Sequence, residues 1–240
     1  MPPVSFSDFV DFLPTLLQGA KLTVLLTAAI FVISMVFGVL VALGRTSGRW
    51  FIRMPLTAYV EFTRGTPGLV QIYYIFYVLP FFGFTMGAIT AGIVGLSFNY
   101  SAYLSEVFRG GLQSVPQTQR EAAATIGLSY IQTMRFVILP QAFRIVLPTT
   151  VNYLLALFKD TSLLSVITIQ ELMFSGLLLA STTYKYFVIF TEIAMIYFVI
   201  CYPFALLSTV LEARLKGRRR VRSGTWAQSL RRAMPGLTRI

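Results

Sequence analysis

The polar residues best suited to binding a ligand begin at a break in a long apolar run. Glu61 and Arg64 are three residues apart, and Gly65, Thr66 and Pro67 follow directly. Proline removes a backbone donor and glycine loosens the helical turn, so we expect a broken helix here. Backbone groups exposed at such a break, with Arg64, Gly65 and Thr66, can hold the ends of a zwitterionic ligand. The alternative is a structural kink with an internal Glu61–Arg64 ion pair.

Two later segments add polar groups to this candidate site. Asn99 and Tyr103 lie near the centre of another apolar run. The Asn99 amide can bond a ligand head group or a neighbouring helix, and the sequence leaves both open. Further on, Lys159 and Asp160 are adjacent opposite charges, with Ser162 just after them, and such a set can grip a carboxylate and an ammonium group. The sequence does not decide whether Asp160 lies deep in the apolar layer or at its outer edge.

No pattern for covalent chemistry accompanies these residues. The chain contains no histidine, and no nucleophile has a base close by in sequence. A phosphate-binding GxxxxGK[ST] loop is also missing. We therefore predict that the protein is not an enzyme, and that it binds no metal or cofactor. If ATP drives it, a separate subunit must hydrolyse the nucleotide.

The elements that position these residues are predicted to be membrane-spanning helices. Hydrophobic residues make up 56% of the chain and charged residues 12%, a balance that predicts a polytopic membrane protein. Arg64 then falls near the midplane of the bilayer. The predicted fold class is all-α with five spans, at about Ala20–Leu43, Met54–Leu79, Gly87–Phe108, Ile145–Gln170 and Tyr186–Leu211.

The distribution of Lys and Arg predicts the orientation of these spans. One set of connections is rich in arginine, whereas the opposite side carries only Lys21 and Lys185. The positive-inside rule places the N-terminus outside and the C-terminus inside. The net charge of +11 is then explained by topology and by attraction to anionic membrane lipid, and we predict no nucleic-acid partner.

The chain divides into three predicted parts. Residues 1–18 carry apolar residues at helical spacing and are expected to form an interfacial helix on the outer surface. Residues 19–215 form the transmembrane domain. Residues 216–240 are rich in arginine and are expected to form a basic cytoplasmic tail that is disordered or held on lipid.

The central cytoplasmic loop, residues 113–140, is polar but helix-prone. Ser114 and Ser129 are each followed three residues later by glutamine, which predicts two capping boxes. Between them lies an alanine-rich helical run, Glu121–Ile126, and then Gly127, which can adopt the left-handed conformation that ends a helix. The loop is therefore predicted to be two short helices around a glycine elbow, suited to docking on a soluble partner.

Several motifs, in this order and spacing, resemble permease subunits of binding-protein-dependent ABC importers, in particular the polar amino acid group. The resemblance covers about Gly19–Leu215 and is carried by the loop Glu121-Ala-Ala with Gly127 and Ile138-Leu-Pro140, and by Phe62-Thr-Arg-Gly-Thr-Pro67, Ala102-Tyr-Leu-Ser-Glu-Val-Phe-Arg-Gly-Gly111, Gln113-Ser-Val-Pro116, Leu139-Pro-Gln-Ala142 and Lys159-Asp-Thr-Ser-Leu163.

This resemblance implies partners as well as a fold. It implies a homo- or heterodimer of permease subunits in a bacterial inner membrane, two ATPase subunits inside and a solute-binding protein outside. It further implies that Glu121, Ala122, Ala123 and Gly127 couple the chain to the ATPase. The alternative for Glu121 is an acidic residue in a first helical turn, favoured by the helix dipole.

Other classes of function fit some of the same residues. In a self-sufficient secondary transporter or channel, Glu61, Arg64 and Asp160 would form an ion relay. A folded docking loop speaks against that class, because an uncoupled carrier does not need one. A membrane enzyme or scaffold lacks any visible catalytic cluster. The ligand is left open among acidic, basic and neutral amino acids and related solutes.

Overall fold

The computed structural model describes the backbone of residues 6–233 and the side chains of residues 9–215. Every regular element in that range is helical, which confirms the all-α class. In chain order the elements are α1 (Phe6–Arg45), α2 (Trp50–Gly65), α3 (Gly68–Tyr73), a π-helical segment (Tyr74–Val78), a 3₁₀ turn (Leu79–Phe82), α4 (Ala88–Gln113), α5 (Gln117–Thr125), α6 (Tyr130–Gln132), a second π-helical segment (Thr133–Ile138), α7 (Leu139–Asp160), a second 3₁₀ turn (Thr161–Ile167), α8 (Leu172–Thr183) and α9 (Tyr186–Ala233).

The expected separate outer helix, residues 1–18, is instead the beginning of α1. Residues 6–18 continue into the first predicted span without interruption, and residues 1–5 lie outside the described range. Leu16 is fully buried and belongs to a core cluster with Leu172 and Ile189. Packing against α8 and α9 therefore buries Leu16, whereas Val10, Leu13 and Leu17 of the same segment remain exposed.

Helix α1 lies at the centre of the bundle and contacts α2, α4, α7, α8 and α9. Its residues Leu26 and Ile30 join the main core with Ile72 and Leu96. The same helix buries three hydroxyl side chains completely, those of Thr23, Thr27 and Ser34. Thr27 Oγ1 donates to the Thr23 carbonyl at 2.8 Å, which is the intrahelical partner that a buried hydroxyl needs in an apolar environment.

Helix α4 is longer than the sequence indicated. The glycine pair Gly110–Gly111 in the sequence predicts a helix end at this point, but the helix continues to Gln113. Gly111 lies directly against the side chain of Val146 and the Ala142 carbonyl of α7. The glycine therefore allows two helices to approach closely, and tertiary contact explains a residue that local propensity assigned to a helix end.

Glu171 is a buried carboxylate at the start of α8, with no exposed surface. It caps this helix by accepting from the backbone amides of Phe174 at 2.8 Å and Met173 at 2.9 Å. Tyr197 of α9 lies 3.3 Å away, and Thr23 of α1 accepts a bond from the Leu172 amide at 3.1 Å. The junction of α1, α8 and α9 is thus a buried polar cluster that the sequence analysis did not identify.

Two described helices are long and apolar enough to cross a membrane, Phe9–Arg45 and Tyr186–Leu215. A third crossing results if Tyr130–Ile167 and Leu172–Thr183, bent by 50° at their junction, count as one span. The five-span topology stays a prediction. Helix α9 continues to Ala233, so residues 216–233 of the expected tail are helical rather than disordered, and residues 234–240 lie outside the described range.

A test of this packing is provided by Gly19 of α1. A Cβ at this position would lie 2.7 Å from Ser175 Oγ and 3.0 Å from the Glu171 carbonyl oxygen. Gly19→Val is expected to cost about 1–3 kcal/mol of folding free energy, because the α8 backbone cannot move aside as a flexible side chain can. Thermal unfolding of the detergent-solubilised protein should show a midpoint several degrees lower.

The matched control is Gly110→Ala in α4, where an added Cβ meets no atom within 4 Å. Alanine favours a helix over glycine by about 1 kcal/mol, so this variant should unfold at or slightly above the wild-type temperature. An unchanged midpoint for Gly19→Val would contradict the close packing of α1 on α8.

Candidate functional site

The predicted break between α2 and α3 is confirmed. Helix α2 ends at Gly65, and Thr66 and Pro67 are both extended, with φ/ψ of −116°/138° and −61°/135°. Helix α3 begins at Gly68. Arg64 therefore lies in the last turn of α2, next to backbone groups that have lost their helical partners.

A cavity of about 500 Å³ opens at this break. It is lined by one side of α4, by the end of α7 and by the break itself. Six of the seven residues predicted to contact a ligand line this cavity: Arg64, Gly65, Thr66, Asn99, Tyr103 and Asp160. Its volume falls within the range of about 300–1,000 Å³ that is usual for small-molecule sites.

Arg64 supplies the positive charge of the cavity. Its side chain is 42% exposed, and its guanidinium carbon lies 5.9 Å from the centre of the Tyr103 ring. The nearest carboxylate is that of Glu106, where Arg64 Nη1 and Glu106 Oε1 are 3.8 Å apart. That distance is too long for a hydrogen bond, so the planar donors of Arg64 keep their capacity to bind an anion.

Glu106 is occupied mainly by two other arginines. Its Oε1 accepts from Arg45 Nη1, and its Oε2 accepts from Arg109 Nη2 at 2.6 Å and from Arg109 Nε at 3.2 Å. Glu106 and Arg109 are three residues apart on α4 and form an ion pair along the helix. One carboxylate faces three guanidinium groups, and Arg64 is the least tightly held of them.

Asp160 supplies the negative charge at the end of α7. The Tyr100 hydroxyl donates to Asp160 Oδ2 at 2.6 Å. Tyr153 also lines the cavity, with its ring centre 6.4 Å from that of Tyr100 and 5.9 Å from that of Tyr103. The cavity therefore combines a cation, an anion and an aromatic wall.

Ser162 and Glu61 do not belong to this cavity. Ser162 lies just beyond the end of α7, where its hydroxyl donates to the Lys159 carbonyl at 2.7 Å. Glu61 is exposed on α2 and forms no ion pair within the described residues, so the predicted Glu61–Arg64 pair is not formed. Among the described residues, no group of three or more His, Cys, Asp or Glu side chains is placed to hold a metal ion.

The polar loop between α4 and α7 forms a folded elbow, which we define as α5, α6 and the turn between them. Gly127 has φ of 78°, and the Leu128 amide donates to the Ala123 carbonyl at 3.1 Å, as in a Schellman motif. The Ser129 capping box is confirmed, since the side chains and backbone amides of Ser129 and Gln132 bond reciprocally. The elbow predicted from glycine and capping residues is therefore present.

The other predicted capping box, at Ser114, is wrong. Ser114 ends α4, and its hydroxyl donates to the Gly111 carbonyl at 2.7 Å. Pro116 occupies the N-cap position of α5, which has no side-chain cap. The longer α4 thus uses the serine that the sequence analysis assigned to α5.

The four residues predicted to couple to an ATPase differ in exposure. Glu121, Ala122 and Gly127 are exposed on the elbow, whereas Ala123 is only 3% exposed and faces inward. At 100° per residue, Glu121 lies in the middle of the exposed side of α5 and Ala123 on the opposite side. Ala123 therefore packs on the inner side of the elbow.

The family comparison agrees with this architecture. Residues 34–217 match the family described as the binding-protein-dependent transport system inner membrane component. The chain belongs to this family.

Curated relatives in the family cover most of the chain. It is 35% identical over 205 residues to the probable amino-acid ABC transporter permease protein YckA of Bacillus subtilis (strain 168), covering 85% of this chain and 91% of YckA. It is 38% identical over 206 residues to the L-cystine transport system permease protein TcyB of the same organism, covering 85% and 88%. It is 34% identical over 206 residues to the glutamine transport system permease protein GlnP of Escherichia coli (strain K12), covering 85% and 94%.

Solved structures of the same type have the same fold. The crystal structure of an amino acid ABC transporter with histidines contains a chain that is 36% identical, with a TM-score of 0.83, and the match covers 88% of this chain and 99% of that one. An inward-facing form of the MetNI methionine ABC transporter matches with a TM-score of 0.65 at 18% identity, over 88% and 99%. The latter similarity concerns the fold alone.

Two tyrosines of this family member were missed as site residues by sequence reasoning. Tyr100 holds Asp160, and Tyr153 completes the aromatic wall. Tyr100 is three residues before Tyr103 on α4, so helical spacing alone could have suggested that it faces the same cavity. Tyr153 lies on α7 and reaches the cavity only through the fold. Nothing in the sequence around Tyr153 distinguishes it from the other aromatic residues of the spans.

The Glu106 network leads to a stability prediction. Arg45 has a side chain that is only 8% exposed, so Glu106→Gln would leave a buried guanidinium without its carboxylate. We expect a loss of about 3 kcal/mol in the free energy of unfolding. Arg109→Gln should cost about 1 kcal/mol or less, because that side chain is 31% exposed. Equal unfolding midpoints for the two detergent-solubilised variants would contradict this assignment.

Proposed function

We propose that this chain is the transmembrane permease subunit of an ATP-driven ABC importer for a polar amino acid or a similar solute in a bacterial inner membrane. Five spans, with the N-terminus outside and the C-terminus inside, are part of this proposal. The chain works as a homo- or heterodimer, receives solute from an extracytoplasmic binding protein and carries no catalytic group for ATP hydrolysis.

The observation that carries this proposal is the pair of opposite charges in one cavity. Arg64 retains free donors on one side, and Asp160 is fixed by Tyr100 at the end of α7. A free amino acid carries a carboxylate and an ammonium group, which match these two charges. The backbone at Gly65 and Thr66 offers further polar groups for its ends.

The relatives support the amino acid class without selecting one member. YckA, TcyB and GlnP are named for amino acids in general, L-cystine and glutamine, and their identities to this chain are 35%, 38% and 34%. Because this chain is about equally identical to relatives named for different substrates, the comparison does not indicate which side chain the transported amino acid carries. We therefore propose the class and leave its member open.

The elbow is proposed to be the docking site for the ATPase. Glu121 is exposed in the middle of one side of α5, and the elbow also carries the apolar residues Ile126, Tyr130 and Ile131, each at least 73% exposed. Exposed apolar residues around a charge are typical of a protein interface. In this proposal Ala122 allows close approach, while Ala123 and Gly127 maintain the shape of the elbow.

The secondary-transporter alternative is less well supported. It requires a relay through Glu61, Arg64 and Asp160. Arg64 and Asp160 line the cavity, but Glu61 does not. With Glu61 outside, the relay lacks its first carboxylate, whereas a solute site needs only the other two residues.

The test of function is uptake into proteoliposomes that contain the permease, its ATPase and its binding protein. With the binding protein outside the vesicles, the wild-type complex should import radiolabelled L-amino acids only when ATP is enclosed inside them, on the side that the ATPase faces. Asp160→Asn should reduce uptake by about tenfold or more, because the ammonium group loses its anionic partner. Ser162→Ala, two residues away but outside the cavity, is the matched control and should transport within about twofold of wild type.

Two results would contradict this proposal. ATP-independent uptake by the permease alone would favour the secondary transporter. Equal uptake by Asp160→Asn and wild type would remove Asp160 from the solute site.

A second prediction concerns the elbow. Glu121→Lys should leave the permease folded, since the side chain is exposed, but should abolish both uptake and solute-stimulated ATPase activity through charge reversal at the docking surface. Gln113→Lys places a lysine at an exposed site at the end of α4, where it removes one exposed hydrogen bond from Arg109 Nη1, and should retain most of the activity. Co-purification of the ATPase with each variant measures docking directly. Normal co-purification and uptake with Glu121→Lys would be incompatible with the assigned role.

A further inference from the structure

Gln71 is a buried polar residue of α3 that does not line the cavity. Only 7% of its surface is exposed, and both the nitrogen and the oxygen of its side-chain amide form hydrogen bonds. Its Nε2 donates to the Thr63 carbonyl at 2.8 Å and to the Thr66 carbonyl at 3.1 Å. These two acceptors lie on either side of Arg64 and Gly65, so one side chain spans the break.

The break itself explains why this side chain is needed. The last carbonyls of α2 have no amide one turn further on, because the chain is extended at Thr66 and Pro67 has no N–H. The Thr66 hydroxyl donates to the Phe62 carbonyl, and Gln71 serves Thr63 and Thr66. A buried carbonyl without a donor is costly in an apolar bundle, so Gln71 replaces the missing helical bonds.

Helix α4 fixes the orientation of Gln71 through Asn99. Asn99 Nδ2 donates to Gln71 Oε1 at 3.2 Å, and this bond keeps the Gln71 amide nitrogen directed at the two carbonyls. The start of α3 also packs on Asn99, since a Cβ at Gly68 would lie 3.5 Å from Asn99 Nδ2. The break is therefore held by bonds between three helices.

The backbone carbonyls of the two residues between Thr63 and Thr66 lack such hydrogen bonds. Those of Arg64 and Gly65 accept no hydrogen bond from a described residue, while both residues line the cavity. Gln71 thus satisfies acceptors on the buried side of the break and leaves those beside the cavity available.

We propose that Gln71, held by Asn99, is a positioning residue for the solute site. It acts through Arg64, Gly65 and Thr66 and does not touch the solute. Without it the corner between α2 and α3 is free to rearrange, and the cation of the site loses its fixed place opposite Asp160. This inference rests on the proposed import function, and it assigns Asn99 the supporting bond that its position in the sequence left open.

The test uses the same reconstituted complex and measures ATP hydrolysed per radiolabelled L-amino acid imported. Fewer active complexes reduce both quantities equally, so a purely structural defect leaves this ratio unchanged. Gln71→Met keeps the size of the side chain but removes its donor and acceptor, and the ratio should rise at least about fivefold as cycles proceed without solute. Asn99→Asp, which cannot donate to Gln71 Oε1, should raise it in the same direction.

The matched control is Thr150→Val in α7. Thr150 is also buried and bonded to a carbonyl, that of Val146, but it does not line the cavity or the break. Its ratio should stay within about twofold of wild type. Gln71→Glu is a second variant of similar shape, which keeps an acceptor for Asn99 but loses the donor, and it should also raise the ratio.

The possible outcomes separate the two proposals. If wild type imports and the assembled Gln71 variants keep its ratio, the positioning role is wrong and the import function stands. If neither Gln71 variant assembles, the residue is required for folding, and the positioning role is again wrong. If wild type itself does not import amino acids with ATP, the proposed function fails and the role of Gln71 with it.

Discussion

The candidate site depends on one constraint: a peptide carbonyl inside an apolar bundle needs a donor. Pro67 and the extended Thr66 remove the helical donors at one place, between α2 and α3. The surrounding structure replaces some of these bonds from Gln71 and the Thr66 hydroxyl. The carbonyls that remain free lie at the cavity, so the same break that would destabilise an ordinary helix creates the polar surface of the site.

The charged side chains at the cavity are also only partly paired by their neighbours. Glu106 binds Arg45 and Arg109 closely but leaves Arg64 at 3.8 Å, so one carboxylate cannot satisfy three guanidinium groups. Asp160 receives a hydrogen bond from Tyr100, which fixes the carboxylate without neutralising it. Each charge is held in position by neighbours that leave part of it unsatisfied. A zwitterion completes both at once, whereas a singly charged solute completes only one.

Features governed by neighbouring residues were predictable from the sequence, and those governed by tertiary contact were not. The break at Pro67, the left-handed Gly127 and the Ser129 capping box depend on a few adjacent residues, and all three are confirmed. The continuation of α4 through Gly111 and the burial of Ala123 were not predictable, because contact with α7 sets the first and packing inside the elbow sets the second. Arg64, Asn99 and Asp160, which line one cavity, could be singled out because charged and amide groups are rare in apolar runs, while Tyr153 resembles many other aromatic residues there.

The order of the elements links the elbow to the cavity mechanically. Helix α4 carries Tyr100 and ends just before the elbow, while α7 begins just after it and ends at Asp160. The two helices that form the Tyr100–Asp160 bond are therefore the two that enter and leave the elbow. Gly111 against Val146 brings them into close contact roughly 16 Å along α4 from Tyr100. In the proposed coupling to an ATPase, a displacement of the elbow would turn α4 against α7 about this close contact and would change the distance between the charged walls of the cavity.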